Sequence, residues 1–181
     1  MKWKLMIPKF LIVLTVSLAS AQEVSTDRLS AYDFPHVQTF AIKLGASWGD
    51  SASETSAKTM IAKALEHKGW KEADESACDV LVVFHGTKQD RQLRTFYEGW
   101  QGYGWENVGA PALADSDAYD YKSGTLMVDI FDAKTRRAVF RGVAKNEIPG
   151  KPDDNGKSFD KAAKKMFKDL PASRSLKNSS K

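Results

Sequence analysis

The sequence predicts an α+β fold: a mainly antiparallel sheet with two helices packed on one face, a two-layer sandwich. Three observations carry this expectation. Two segments, about 53–68 and 159–170, place apolar residues at helical spacing. Between them lies a continuous apolar run, Val80-Leu81-Val82-Val83-Phe84. The third is a pair of strand-like runs on either side of the turn Asp132-Ala133-Lys134-Thr135. Helical stripes outside a run of strands need one shared apolar layer, and a sheet face supplies it.

The chain begins with features of a leader. Lys2, Lys4 and Lys9 precede Phe10-Leu11-Ile12-Val13-Leu14, and Ala19-Ser20-Ala21 precedes Gln22. A positive stretch, a short apolar stretch and a small-x-small site are the three parts of a secretory signal peptide. The apolar run falls short of the roughly 20 residues that a spanning helix needs. Residues 1–21 are therefore expected to be removed, with Ala19, Ala21 and Gln22 forming the cleavage site. Residues 22–31 are polar and read as an N-terminal lead-in segment. Residues 32–171 read as a single α+β domain, and the Ser/Lys-rich residues 172–181 as a disordered basic tail.

Within the domain, Tyr32-Asp33-Phe34 and Thr39-Phe40-Ala41-Ile42 look like strands around a turn at Pro35, since aromatic and β-branched residues suit a pleated surface. Ser51 and Glu54 have capping-box spacing, and Ala57, Met60, Ile61, Ala64 and Leu65 follow at helical intervals. Glu54 and Lys58 are placed to pair on the outer face. Gly69 is a natural stop, because it tolerates the left-handed conformation that ends many helices. The run from Val80 to Phe84 reads as a central strand. Leu126, Val128 and Ile130 alternate on one side of the next strand, and Ala138 to Val143 returns to complete a hairpin. Phe159, Ala162, Ala163, Met166, Phe167 and Leu170 form the second helical stripe before Pro171.

Charge and cysteine content narrow the function classes. The 181 residues carry 27 Lys/Arg and 23 Asp/Glu, a formal charge of +4. Without Lys2, Lys4 and Lys9 the balance is 24 against 23, so the basic character belongs mostly to the leader and nucleic acid is not an expected partner. Cys78 is the single cysteine, which excludes an internal disulfide. It reads as a small buried residue at a strand edge, the alternative being a reactive or intermolecular thiol.

Several short motifs together resemble a known family. They are Tyr32-Asp33-Phe34 with Thr39-Phe40, Leu65-x-x-Lys68-Gly69-Trp70, Cys78-Asp79-Val80-Leu81-Val82, Gly124-Thr125-Leu126-x-Val128-Asp129-x-x-Asp132-Ala133, and Phe140-Arg141-Gly142-x-Ala144. In combination they resemble the bacterial family called domain of unknown function 4136, across nearly the whole chain after the leader. The resemblance implies a Gram-negative envelope protein of α/β sandwich type, often a lipoprotein, with no assigned activity and no catalytic residues to carry over. Lipoprotein members have a cysteine directly after the cleavage point. Gln22 stands there in this chain, so a periplasmic or secreted, non-lipidated protein is expected.

The candidate contact surface is aromatic. Phe96, Tyr97, Trp100, Tyr103 and Trp105 lie within ten residues, interleaved with Gly99, Gly102 and Gly104. Such rings either cover the sheet or present stacking faces to a glycan or an envelope protein. His36, His67 and His85 lack metal-ligand spacing, and no cofactor is expected. His67 lies in the last turn of the first helix, where a cation would favour the helix dipole. Asp115, Asp117 and Asp120 resemble a calcium loop only briefly, because Tyr119 occupies the next ligand position. Asp129 and Asp132 stand near Arg136, Arg137 and Arg141, where cross-strand ion pairs account for them as well as acid/base chemistry does. No complete Gly-x-x-x-x-Gly-Lys-Ser/Thr phosphate loop is present. Lys161, Lys164, Lys165 and Lys168 lie opposite the second apolar stripe, a pattern that suits either a solvated helix face or weak contact with an anionic membrane.

The expected function is thus an exported cell-envelope protein acting as a non-enzymatic binding or structural module. The alternative is an envelope hydrolase acting on glycan or cell-wall polymers, which requires acids and histidines to converge in a pocket.

Overall fold

The computed structural model describes residues 23–45, 47–87, 91–92, 120–121, 124–145, 148 and 155–174. A six-stranded sheet is built from β1 (Val24–Arg28), β2 (Thr39–Leu44), β3 (Lys71–Glu72), β4 (Val80–Thr87), β7 (Thr125–Asp132) and β8 (Ala138–Ala144). Two further short strands, β5 (Arg91–Gln92) and β6 (Asp120–Tyr121), pair with each other. The helices are α1 (Ser51–Glu66) and α2 (Asn155–Met166). Among the described residues no helix is long and apolar enough to cross a membrane.

The strand order is β1-β8-β7-β4-β2-β3. The pairs β1·β8, β7·β8 and β4·β7 are antiparallel, whereas β2·β4 and β2·β3 are parallel. The sheet is therefore mixed. The parallel pair arises because β2 reaches β4 by way of α1, and a helical crossover returns the chain in the same direction.

Both helices lie on one face, as the two stripes require. Ala57, Ile61, Ala64 and Leu65 of α1, together with Phe159, Ala162, Ala163 and Met166 of α2, share a core with Phe40, Ile42, Val82, Phe84, Leu126, Val128, Ile130 and Phe140 of the sheet. Trp48 caps one end of that layer, with its ring centroid 6.1 Å from Phe84 and 6.4 Å from Phe159. Gly86 makes this possible: a Cβ there would lie 2.2 Å from Trp48 Cε3. The opposite sheet face holds a smaller apolar cluster of Ala41, Leu81, Val83, Phe131 and Ala138.

Several local expectations are corrected. The lead-in segment contains β1, an edge strand whose polar, exposed side chains give it no apolar alternation to read. Tyr32 and Asp33 lie outside any strand; they lead into a 3-10 turn, Phe34–His36, with Pro35 in its first turn. The N-cap of α1 is Asp50 rather than Ser51, and its side chain accepts from the Ser53 N–H at 3.2 Å. Glu54 turns back to accept from the Trp48 and Gly49 N–H groups, while Lys58 Nζ stands 3.6 Å from Glu72. Gly69 does end the helix, at φ 84°. Residues 172–174, the start of the expected tail, lie among the described residues. The Ser173 N–H donates to the Lys68 carbonyl at 2.7 Å, and Arg174 reaches Asp33 and His36. The rest of that tail, and the whole of the expected leader with Ala19, Ala21 and Gln22, lie outside the described residues.

Candidate functional site

Three connections meet at the end of the sheet where β2 and β4 begin and β7 finishes. They enclose an open groove of about 490 Å³ lined by Tyr32, Asp33, His36, Cys78, Asp79, Asp132 and neighbouring residues. Three of the five motifs that carry the family resemblance, those holding Tyr32-Asp33, Cys78-Asp79 and Asp132-Ala133, converge here. Asp79 ties β4 to β2: its Oδ2 accepts from the Gln38 and Thr39 N–H groups, both at 2.9 Å, and from Thr39 Oγ1 at 3.1 Å. Asp132 closes the hairpin, its Oδ1 accepting from Thr135 N–H at 2.6 Å and Thr135 Oγ1 at 2.7 Å. Its other oxygen accepts from the Tyr32 hydroxyl at 2.9 Å, joining residues 100 positions apart.

These contacts set the electrostatics. Burial first, then the bond to Asp132 and its negative charge, push the Tyr32 hydroxyl well above its ordinary pKa, so it remains a donor. For Asp132 burial alone would favour the neutral acid. The donors from Thr135, Tyr32 and the Lys134 backbone outweigh it, and the carboxyl sits below its usual range. Cys78 is half-buried, bonded through Sγ to the Glu75 carbonyl at 3.3 Å, rather than fully buried as its sequence setting suggested. Burial pushes its thiol pKa up, which disfavours the nucleophilic thiolate. The groove thus gathers four carboxylates, of which Asp79 and Asp132 act as acceptors for the backbone around them.

A second polar cluster lies within the sheet. Asp129 on β7 faces Arg141 on β8 and is bonded to its Nε at 2.7 Å and its Nη2 at 3.3 Å. The cross-strand pair expected there forms, but it is internal: Asp129 is 0% and Arg141 6% exposed. His85 on β4 stands 4.0 Å from Asp129 and is 4% exposed. Burial lowers its pKa to about 4; Asp129 raises it and Arg141 lowers it further. Gly45 passes against the ring so closely that a Cβ would lie 2.0 Å from its Cε1.

The remaining sequence candidates are scattered. His36 pairs with Asp33, and His67 is exposed at the end of α1. Among the described residues no group of three or more His, Cys, Asp or Glu side chains is arranged to hold a metal ion. Phe96, Tyr97, Trp100, Tyr103 and Trp105 lie outside the described residues, as do Asp115 and Asp117; Asp120 is described by its backbone alone, paired with Gln92. Lys161, Lys164, Lys165 and Lys168 are exposed, with Lys164 bonded to Asp160 at 2.7 Å, while the stripe opposite them is buried in the core. The groove was not legible in advance, because its residues come from three separate turns. Two of its acids do stand at strand ends, Asp79 directly before β4 and Asp132 as the last residue of β7.

Mixed sheet, crossover helix and second helix on the same face define an α+β sandwich. The family follows from the sequence as a whole: residues 24–172 match the model of the domain of unknown function DUF4136, and the chain belongs to that family. A DUF4136 family protein from Bacteroides thetaiotaomicron has a similar fold, with TM-score 0.54, 14% identity, and coverage of 81% of this chain and 94% of that one. A PelC dodecamer from Paraburkholderia phytofirmans is similar with TM-score 0.50 and 11% identity, over 83% of this chain and 99% of the other. None of the curated proteins compared with the chain matches it.

Proposed function

We propose that this chain is an exported bacterial cell-envelope protein acting as a non-enzymatic binding or structural module. One observation carries the non-enzymatic reading: two of the groove's four carboxylates, Asp79 and Asp132, are spent on the scaffold. Asp79 accepts from two backbone N–H groups and a hydroxyl, and Asp132 from a backbone N–H and two hydroxyls. A general acid or base needs a proton-exchanging oxygen turned toward substrate. The leader-like residues 1–21 support export into a periplasmic or secreted, non-lipidated form. Phe96, Tyr97, Trp100, Tyr103 and Trp105 are the proposed contact with an envelope protein or glycan. The exposed lysines of α2 are a second, weaker contact with an anionic membrane surface.

The hydrolase reading has two carboxylate–histidine approaches in its favour. Asp33 and His36 pair on the groove, where Arg174 also reaches both. His85 and Asp129 are sealed in the sheet beside Arg141, away from the groove. Intact-mass measurement of the protein recovered from cells tests export: loss of residues 1–21 without added lipid is expected, and a retained Met1 overturns it. Capture from envelope extract tests contact. Replacing Trp100, Tyr103 and Trp105 by Ala is expected to abolish the interaction with the melting temperature unchanged. Interactions identical in both proteins remove the aromatic segment as the contact.

A further inference from the structure

The register of β1 shows which of its backbone groups face outward. Leu29 N–H donates to the Val139 carbonyl at 2.9 Å and Lys145 N–H to the Glu23 carbonyl at 3.0 Å. β1 runs antiparallel to β8 from Val24↔Ala144 to Arg28↔Phe140. In such a pair the bonded residues alternate. Glu23, Ser25, Asp27 and Leu29 therefore turn their N–H and C=O groups toward β8, and Val24, Thr26 and Arg28 turn theirs away. Among the described residues no strand lies beyond β1, and Ser25 to Arg28 are exposed. Natural edges usually discourage pairing with Pro, Lys or a bulge. This one has no proline, lysine or bulge, and its two charged side chains, Asp27 and Arg28, are of opposite sign: the sequence is Val-Ser-Thr-Asp-Arg, and its register against β8 is unbroken.

We propose that β1 pairs with β1 of a second copy of this chain, antiparallel about a two-fold axis at Thr26, so that two six-stranded sheets become continuous. This is independent of the envelope reading. Self-complementarity selects both occupant and register. Only outward-facing residues can bond across the new seam, and three two-fold registers engage more than one of them. Centring on Asp27 sets two carboxylates directly opposite each other, which is unfavourable. Centring on Ser25 joins Val24 only with Thr26 and leaves Arg28 opposite position 22. Centring on Thr26 uses all three outward residues, pairing Val24 with Arg28 on both sides and Thr26 with itself. Thr–Thr is a favourable cross-strand pair, and the two Asp27 side chains are then diagonal, about 7–8 Å apart. The other sheet edge, β3, has only two residues and offers little to a head-to-tail partner. A two-fold contact also closes on itself, as most homodimers do.

The test measures mass in solution together with two substitutions. Thr26→Pro removes an N–H that points away from β8, at an edge where proline is tolerated. In a Cys78→Ser background, Thr26→Cys places two thiols on opposed residues about 5.5 Å apart at Cα, within disulfide reach. The wild-type protein is expected at twice the chain mass by light scattering at micromolar concentration. Thr26→Pro is expected at the single-chain mass with an unchanged circular-dichroism spectrum. Oxidised Thr26→Cys is expected to form a covalent dimer, and Asp27→Cys is not. A monomeric wild type overturns the proposal, as does an assembly of any size that folded Thr26→Pro leaves intact. Should Thr26→Pro fail to fold, the cysteines decide: a covalent dimer specific to position 26 supports the pairing, and its absence refutes it.

Discussion

Mild acid should loosen this fold through His85. Its ring is buried on β4, pressed by Gly45 and 4.0 Å from Asp129, and burial holds its pKa near 4. In the unfolded chain the same imidazole titrates near 6.5. Above 6.5 the ring is neutral in both states, and its contribution to stability is complete. Between 6.5 and about 4 the unfolded chain holds the extra proton, so stability falls as pH falls. Below about 4 both states are protonated and the loss is complete. A displacement from 6.5 to about 4 corresponds to about 3 kcal/mol. That is a substantial share of the roughly 5–15 kcal/mol that holds a typical domain together. Urea unfolding followed by tryptophan fluorescence, from pH 7.5 down to pH 4, measures it. His85→Gln keeps a polar side chain of similar size without the titration, so its stability should lack this slope. Equal slopes for wild type and His85→Gln between pH 6.5 and 4 would refute the assignment.

Three further outcomes follow from the geometry. Gly45→Ala drives a Cβ into the His85 ring and should cost about 1–3 kcal/mol in urea unfolding, the usual range for overpacking. Asp129→Asn removes the carboxylate charge bonded to the buried Arg141 guanidinium and should cost about 3–5 kcal/mol, a loss that Arg141→Met in the same chain should largely reverse, both read by thermal and urea melts. Cys78 should alkylate with iodoacetamide more slowly at pH 7.5 than an unfolded control, because burial raises its thiol pKa; mass spectrometry over time reads the rate.

How much of this was legible in the sequence depends on whether the signal was local. Val80 to Phe84, the α1 stripe and the hairpin around Asp132 were visible because a single run of residues carries each pattern. β1 was not, because an exposed edge strand has no apolar alternation to show. The parallel pairing of β2 with β4 was implicit in the order strand, helix, strand, but the clearer hairpin signal suggested a mainly antiparallel sheet. The Asp50 cap was masked by Ser51 and Glu54, whose spacing imitates a capping box one residue later. The candidate site fared worst. Tyr32 and Asp132, and likewise Thr39 and Asp79, meet only after the sheet has formed. His85 looked like an isolated histidine, since the strand order that sets it beside Asp129 lies in no short window of sequence.

The pairing of β1 with β8 also bears on when the molecule can finish assembling. These two strands are neighbours in space but more than a hundred positions apart along the polypeptide. A chain emerging amino end first, from a ribosome or a translocation channel, exposes β1 long before its partner arrives. Closing so long a loop is slow, and it comes after the local hairpin of β7 and β8 has formed. The first strand to appear is therefore among the last to dock, and until then the outer side of β8 is itself an open template.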